Sequence, residues 1–143
     1  MNNTNSYNER QTVSDLGEEL FEQWAVSKSY KFNRIGFHSK NDSVSNFFRL
    51  NTVLRNIPDY ILNKDNKTYV VNVKGTANIK LKEMLILDKL VNAYSSDNAP
   101  LIYAFCFKEQ TPILMSWTTV EERFNKAENK TWHDGVIYRT ILL

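Results

Sequence analysis

Asp59, Asn72 and Lys74 are the residues of this 143-residue chain whose types and spacing could do chemistry. They lie in two short apolar runs, Pro58 to Leu62 and Tyr69 to Lys74, separated by the turn cluster Asn63-Lys64-Asp65-Asn66-Lys67. The runs read as two strands, and the cluster as the turn between them. If Asp65 and Asn66 form a two-residue hairpin loop, Leu62 faces Tyr69 and Asp59 faces Asn72. Directly opposed side chains have Cβ atoms about 4.5–5.5 Å apart. Alternation puts Val70, Asn72 and Lys74 on one sheet face and Val71 and Val73 on the other. One face then gathers Asp59, Asn72 and Lys74. A hard cation such as magnesium takes oxygen ligands, with carboxylates supplying charge. A neighbouring lysine can position or deprotonate a water and offset charge building on a phosphate. Together these groups make an arrangement suited to cleaving a phosphodiester.

The elements that must position this trio follow from periodicity. Residues 14–28 read as a helix capped by Ser14, with Asp15, Glu18 and Glu19 at its positive end. Leu16, Leu20, Phe21, Trp24 and Ala25 form its apolar stripe. Glu18 falls at the edge of that stripe, with Glu22 farther round and Glu19 nearly opposite. Residues 29–35 read as a short strand, and residues 38–50 as a polar stretch with a helical turn around Val44 to Leu50. After the hairpin, Gly75 ends the second strand, and a loop carrying Thr76 and Asn78 leads into a helix over 80–94. Leu101 to Phe107 is an unbroken apolar run, expected of a strand buried on both faces. Ile113 to Trp117 reads as a strand. Thr118 or Thr119 caps a helix running to about Ala127, with Glu121 and Glu122 in its first turn. Val136 to Leu142 is the last strand. The order predicts an α/β or α+β domain with a central mixed β-sheet flanked by helices.

Pro58-Asp59, twelve intervening residues and Asn72-Val73-Lys74 resemble the signature of the PD-(D/E)XK nuclease superfamily. Gly17-Glu18 in the preceding helix, Gly75-Thr76, the helix from Leu81 and the strand at Leu101 to Phe107 fit the same pattern. The likeness covers roughly residues 15–107. By size, the small Holliday-junction resolvases and phage nucleases are the nearest comparison. The resemblance implies a restriction-endonuclease-like αβββαβ core and magnesium-dependent hydrolysis of DNA, with manganese as a substitute. It implies that Asp59 is the main metal ligand, Lys74 the catalytic lysine, and Glu18 a first-helix acid bound to the metal directly or through water. The Val73 carbonyl takes a position that commonly ligates metal in this family.

Asn72 departs from the pattern, which expects Asp or Glu. An amide offers an oxygen but no charge. Three explanations stand side by side: the acid has migrated to the next helix, as Glu83; the chain is a nuclease-fold relative that only binds nucleic acid or a protein; or Asn72 is a near-isosteric replacement that silences an enzyme. Glu83 also has a simpler reading, as a carboxylate complementing a helix N-terminus. Arg34, Arg55, Lys80 and Lys82, with Arg49, are candidate phosphate contacts. His38 and His133 have Asp42 and Asp134 nearby in sequence, but the plain reading of each is a surface histidine. Phe47 and Phe48 could cover the sheet or join a dimer interface, and nucleases of this size often act as homodimers.

Composition sets the bounds. Hydrophobic residues make up 42% and aromatic residues 13%, too much for a disordered chain. The single cysteine, Cys106, excludes a disulfide framework and a cysteine-built zinc site, and its apolar surroundings predict an inert core thiol. There is no P-loop or dinucleotide fingerprint, so no nucleotide cofactor is expected, and no nucleophile–histidine motif for acyl transfer. No apolar run reaches the roughly 20 residues that span a bilayer. The polar, Asn-rich start reads as a tail rather than a signal peptide. These features predict a cytoplasmic protein with a flexible tail over 1–13 and one domain over 14–143. The net charge of +2 is weak as a sign of DNA binding. Acids turned inward onto a cation would leave the working face more positive than that total.

Overall fold

The computed structural model describes residues 7–35, 58–94 and 99–143. Along the chain these form α1 (Tyr7–Ser27), β1 (Lys31–Arg34), β2 (Tyr60–Lys64), β3 (Lys67–Lys74), β4 (Asn78–Lys80), α2 (Leu81–Tyr94), β5 (Leu101–Phe105), β6 (Ile113–Ser116), α3 (Trp117–Lys126), β7 (Lys130–Thr131) and β8 (Ile137–Thr140). The helical turn read at Val44 to Leu50, together with His38, Arg49, Arg55, Phe47 and Phe48, lies outside the described residues.

The β2–β3 hairpin turns on Asp65 and Asn66, both at positive φ, 52° and 65°. Those angles are those of the two central residues of a type I′ turn, which matches strand twist and which Asn and Asp tolerate. Leu62 pairs with Tyr69 and Tyr60 with Val71, the register the sequence predicts. β1 adds antiparallel to β2, and β5 lies parallel to β3 after the α2 crossover. β6 closes the five-stranded sheet in the order β1-β2-β3-β5-β6. A mixed α/β sheet flanked by helices results; with β4 set aside in a second sheet, its elements follow the αβββαβ order expected from the sequence.

Alternation divides the core into two layers. Tyr60, Leu62, Val71, Val73, Ile102 and Ala104 face α1, where Phe21 and Ala25 meet them. Tyr103, Phe105 and Met115 face the other way, onto Met84 and Leu87 of α2 and Val120 and Phe124 of α3. Cys106 is buried, and burial pushes its thiol up to about 12. It is the inert core thiol expected.

The structure departs from the sequence reading at several places. α1 opens at Tyr7 rather than at Ser14, so residues 7–13 are helix and not tail. Arg10 supplies the reason: its guanidinium bonds Asp134 at 2.6 Å and lies 4.4 Å over the Trp132 ring. These partners are more than a hundred residues away in sequence. The stretch around Asn78, read as loop, is a strand because it pairs with β8, Ile79 opposite Arg139. With β7 it makes a second, three-stranded sheet, ordered β4-β8-β7. α3 is capped by Ser116, whose hydroxyl accepts from the Thr119 N–H at 3.2 Å. That places the start of the helix at Trp117, ahead of Thr118 and Thr119, and puts Glu121 and Glu122 beyond its first turn.

Candidate active site

Asp59 sits at the mouth of β2, one step before the first ladder pair, Tyr60 with Val71. Its backbone N–H donates to the Val71 carbonyl at 2.9 Å. Its carboxylate reaches across and accepts from the Val73 N–H at 2.8 Å. Asp59 is therefore tied to β3 twice, through backbone and side chain. Val73, read from the resemblance as a carbonyl donor to metal, contributes here the amide that holds Asp59.

Asn72 and Lys74 follow on β3 and point to the α2 face. Asn72 is 7% exposed, one of two buried polar side chains among the described residues. The third member of this group comes from α2. Glu83 accepts from Lys74 Nζ at Oε1, 3.2 Å away, and from Asn72 Nδ2 at Oε2, 3.5 Å away. Tyr103 completes the set. It stands beside Asn72 in the parallel ladder and donates its phenol proton to Glu83 Oε2 at 2.7 Å. Burial, then the charge of Glu83, hold the Tyr103 phenol well above its ordinary value, and Asp59 adds to the effect.

Glu18 comes from α1, which packs on the Val71 and Val73 face. It is 3% exposed, and its Oε2 lies 3.5 Å from Arg34 Nη2. Arg34 also bonds Glu22 at 2.8 Å and the Tyr60 hydroxyl at 3.0 Å, and the Tyr60 hydroxyl donates to Glu22. Burial opposes the charge on Arg34, but these acids outweigh it and raise its pKa. The stripe that buries Phe21 and Ala25 carries Glu18 with it, beside Arg34. Arg34, a candidate phosphate contact by sequence, has its guanidinium taken up by this α1 cluster.

Lys80 and Lys82 lie where β4 meets α2. Lys82 is exposed and Lys80 half-buried. Burial, and after it the charge of Lys74, lower the pKa of Lys80. His133 is exposed in the turn before β8. Asp134 beside it is held below its ordinary value chiefly by its hydrogen bond from Arg10.

Among the described residues no three His, Cys, Asp or Glu side chains come together as a metal-holding group. Glu83 of α2 meets Asn72 and Lys74 of β3 and Tyr103 of β5, and the Asp59 carboxylate is held at the neighbouring Val73 N–H. Oxygen donors of this kind suit a hard divalent cation, with two negative charges rather than three.

Tyr103 is the residue the sequence reading missed. The signal was present: a tyrosine inside an apolar strand buried on both faces must find a partner for its hydroxyl. Arg10 had no comparable signal.

No family model and no curated protein matches the chain. Among solved structures it is similar to Archaeoglobus fulgidus Hjc, a Holliday junction resolvase from an archaeal hyperthermophile. The TM-score is 0.38 at 11% identity, over 89% of this chain and 83% of that one. No helix among the described residues is long and apolar enough to cross a membrane.

Proposed function

We propose that this protein is a metal-dependent nuclease that hydrolyses phosphodiester bonds in DNA, with Glu83 in place of the acid that Asn72 lacks. The observation that carries the reading is the Glu83 carboxylate lying against both Asn72 and Lys74. A glutamate that only complemented the helix dipole would need no partner on β3 or β5. Of the three explanations for Asn72, migration of the acid is the one this contact favours.

In this reading Asp59 and Glu83, with the Asn72 amide oxygen, hold magnesium or manganese. The bound cation supplies a more acidic water and charge for the phosphate oxygens. Lys74 contributes the positive charge nearest the acids, and offsets charge that builds on the phosphate. The Val73 amide keeps Asp59 from rotating away. Lys80 and Lys82 extend positive charge along the same edge, where sequence-independent phosphate contacts would be made. Glu18 is the first-helix acid of this reading; it pairs with Arg34 at 3.5 Å, and Gly17 beside it packs on the Gly75 and Lys74 backbone.

The test is incubation of branched, single-stranded and duplex DNA with magnesium or manganese, with Lys74→Ala as control. Cleavage by wild type and its loss in Lys74→Ala are expected, and equal cleavage by both would sink the mechanism. A second reading has its own support in the two-carboxylate donor set: a nuclease fold that binds nucleic acid without cutting it. It predicts DNA binding that weakens steeply with salt and no turnover with any metal.

A further inference from the structure

The phenol of Tyr103 is fully buried, and its ring already has a place in the core, 5.7 Å from Phe105 and 6.5 Å from Trp117. Phenylalanine would meet that packing need, and it would not bring a hydroxyl that must be desolvated. The hydroxyl is aimed at Glu83 Oε2, 2.7 Å away. Lys74 takes the other oxygen, Oε1, at 3.2 Å. Glu83 is a long side chain on the first turn of α2, and these two contacts fix its carboxylate from two strands at once. Asn72, 3.5 Å from Oε2, lies on the same side as Tyr103.

We propose that Tyr103 is a positioning residue that holds the Glu83 carboxylate against β3, ready to ligate a divalent cation. The role rests on the reading of Glu83 as an acid of the site. A partner that orients a ligating carboxylate affects metal affinity, typically by about 10–100-fold. A tyrosine that only filled the core would alter stability and leave that affinity alone.

The experiment is manganese titration of the full chain without DNA, following free manganese by electron paramagnetic resonance, with thermal unfolding as the folding check. Wild type binds one ion. Folded Tyr103→Phe binds it about ten-fold more weakly or worse. In a Glu83→Gln background, Tyr103→Phe has no further effect. Unchanged affinity in folded Tyr103→Phe overturns the role, as does the same loss with and without the Glu83 carboxylate. If wild type itself binds no manganese, the metal site and this role fall together, an outcome distinct from failure of the variant alone. A second measurement covers a Tyr103→Phe chain that does not fold. Manganese should perturb tyrosine absorption in wild type and not in Glu83→Gln; no perturbation in wild type that binds the ion overturns the role.

Discussion

Lys74 Nζ stands 3.2 Å from Glu83 Oε1, with the two side chains 18% and 12% exposed, and this ion pair joins the end of β3 to the first turn of α2. Charges so far removed from water interact more strongly than a surface pair. Lys74→Ala is expected to lower the cleavage rate by about a hundred-fold or more, the scale of losing one preorganised charge at a reacting phosphate. Lys74→Arg should recover only part of it, because a planar guanidinium cannot replace a compact ammonium here. Single-turnover rates on one DNA substrate check both.

Asn72→Asp places a second carboxylate within reach of Glu83, whose Oε2 is 3.5 Å from the present amide nitrogen. Like charges that close resist joint ionisation. Without metal the variant should lose on the order of 1–2 kcal/mol of stability. Magnesium should restore that loss, and both metal affinity and activity should exceed those of wild type. Thermal unfolding with and without magnesium is the measurement, and an equal stability loss under both conditions contradicts the placement of Asn72 beside the metal.

Gly75 follows Lys74 where α1 crosses the end of β3. A Cβ there would run into the Val13 carbonyl oxygen, and one on Gly17 would stand 3.0 Å from the Gly75 backbone. Neither obstacle is a side chain that can turn aside. Gly75→Ala should therefore cost about 1–3 kcal/mol and reduce activity by shifting Lys74, measurable by urea unfolding and by cleavage. Wild-type stability in Gly75→Ala would show that α1 does not dock so closely.

Lys80 gives a prediction in pH. Burial, and then the charge of Lys74, hold its folded-state pKa below the ordinary lysine value. Between the folded and unfolded values the unfolded chain binds more protons, so stability rises with pH through that window. Below both values the charged lysine costs stability in full. Lys80→Met should stabilise the protein at neutral pH and flatten its alkaline rise. It should also weaken DNA binding and lower the salt slope by about one. Denaturant unfolding at neutral and alkaline pH, with binding across a salt series, checks the four effects.

The hairpin was legible in the sequence because its information is local. Two residues that tolerate positive φ lie between strands, and strand alternation then sets the face on which Asn72 and Lys74 point. The strand at Leu101 to Phe105 was legible for a similar reason, as an unbroken apolar run. The sequence was silent where partners are distant. Arg10 meets Asp134, and Asn78 pairs with Thr140, and neither relationship leaves a local pattern. Glu18 was legible in another way: helical periodicity placed it beside the buried stripe, and it is 3% exposed. Glu83 was visible as an acid at a helix start, and only the packing of α2 on the sheet brings it to Asn72.

The measurement closest to the central claim is manganese-dependent DNA cleavage by wild type and by Glu83→Gln, each verified as folded. Turnover by wild type is expected, with a loss of about a hundred-fold or more in Glu83→Gln, similar to that in Lys74→Ala. Undiminished turnover in folded Glu83→Gln, or no turnover by wild type with any divalent metal, would contradict that claim.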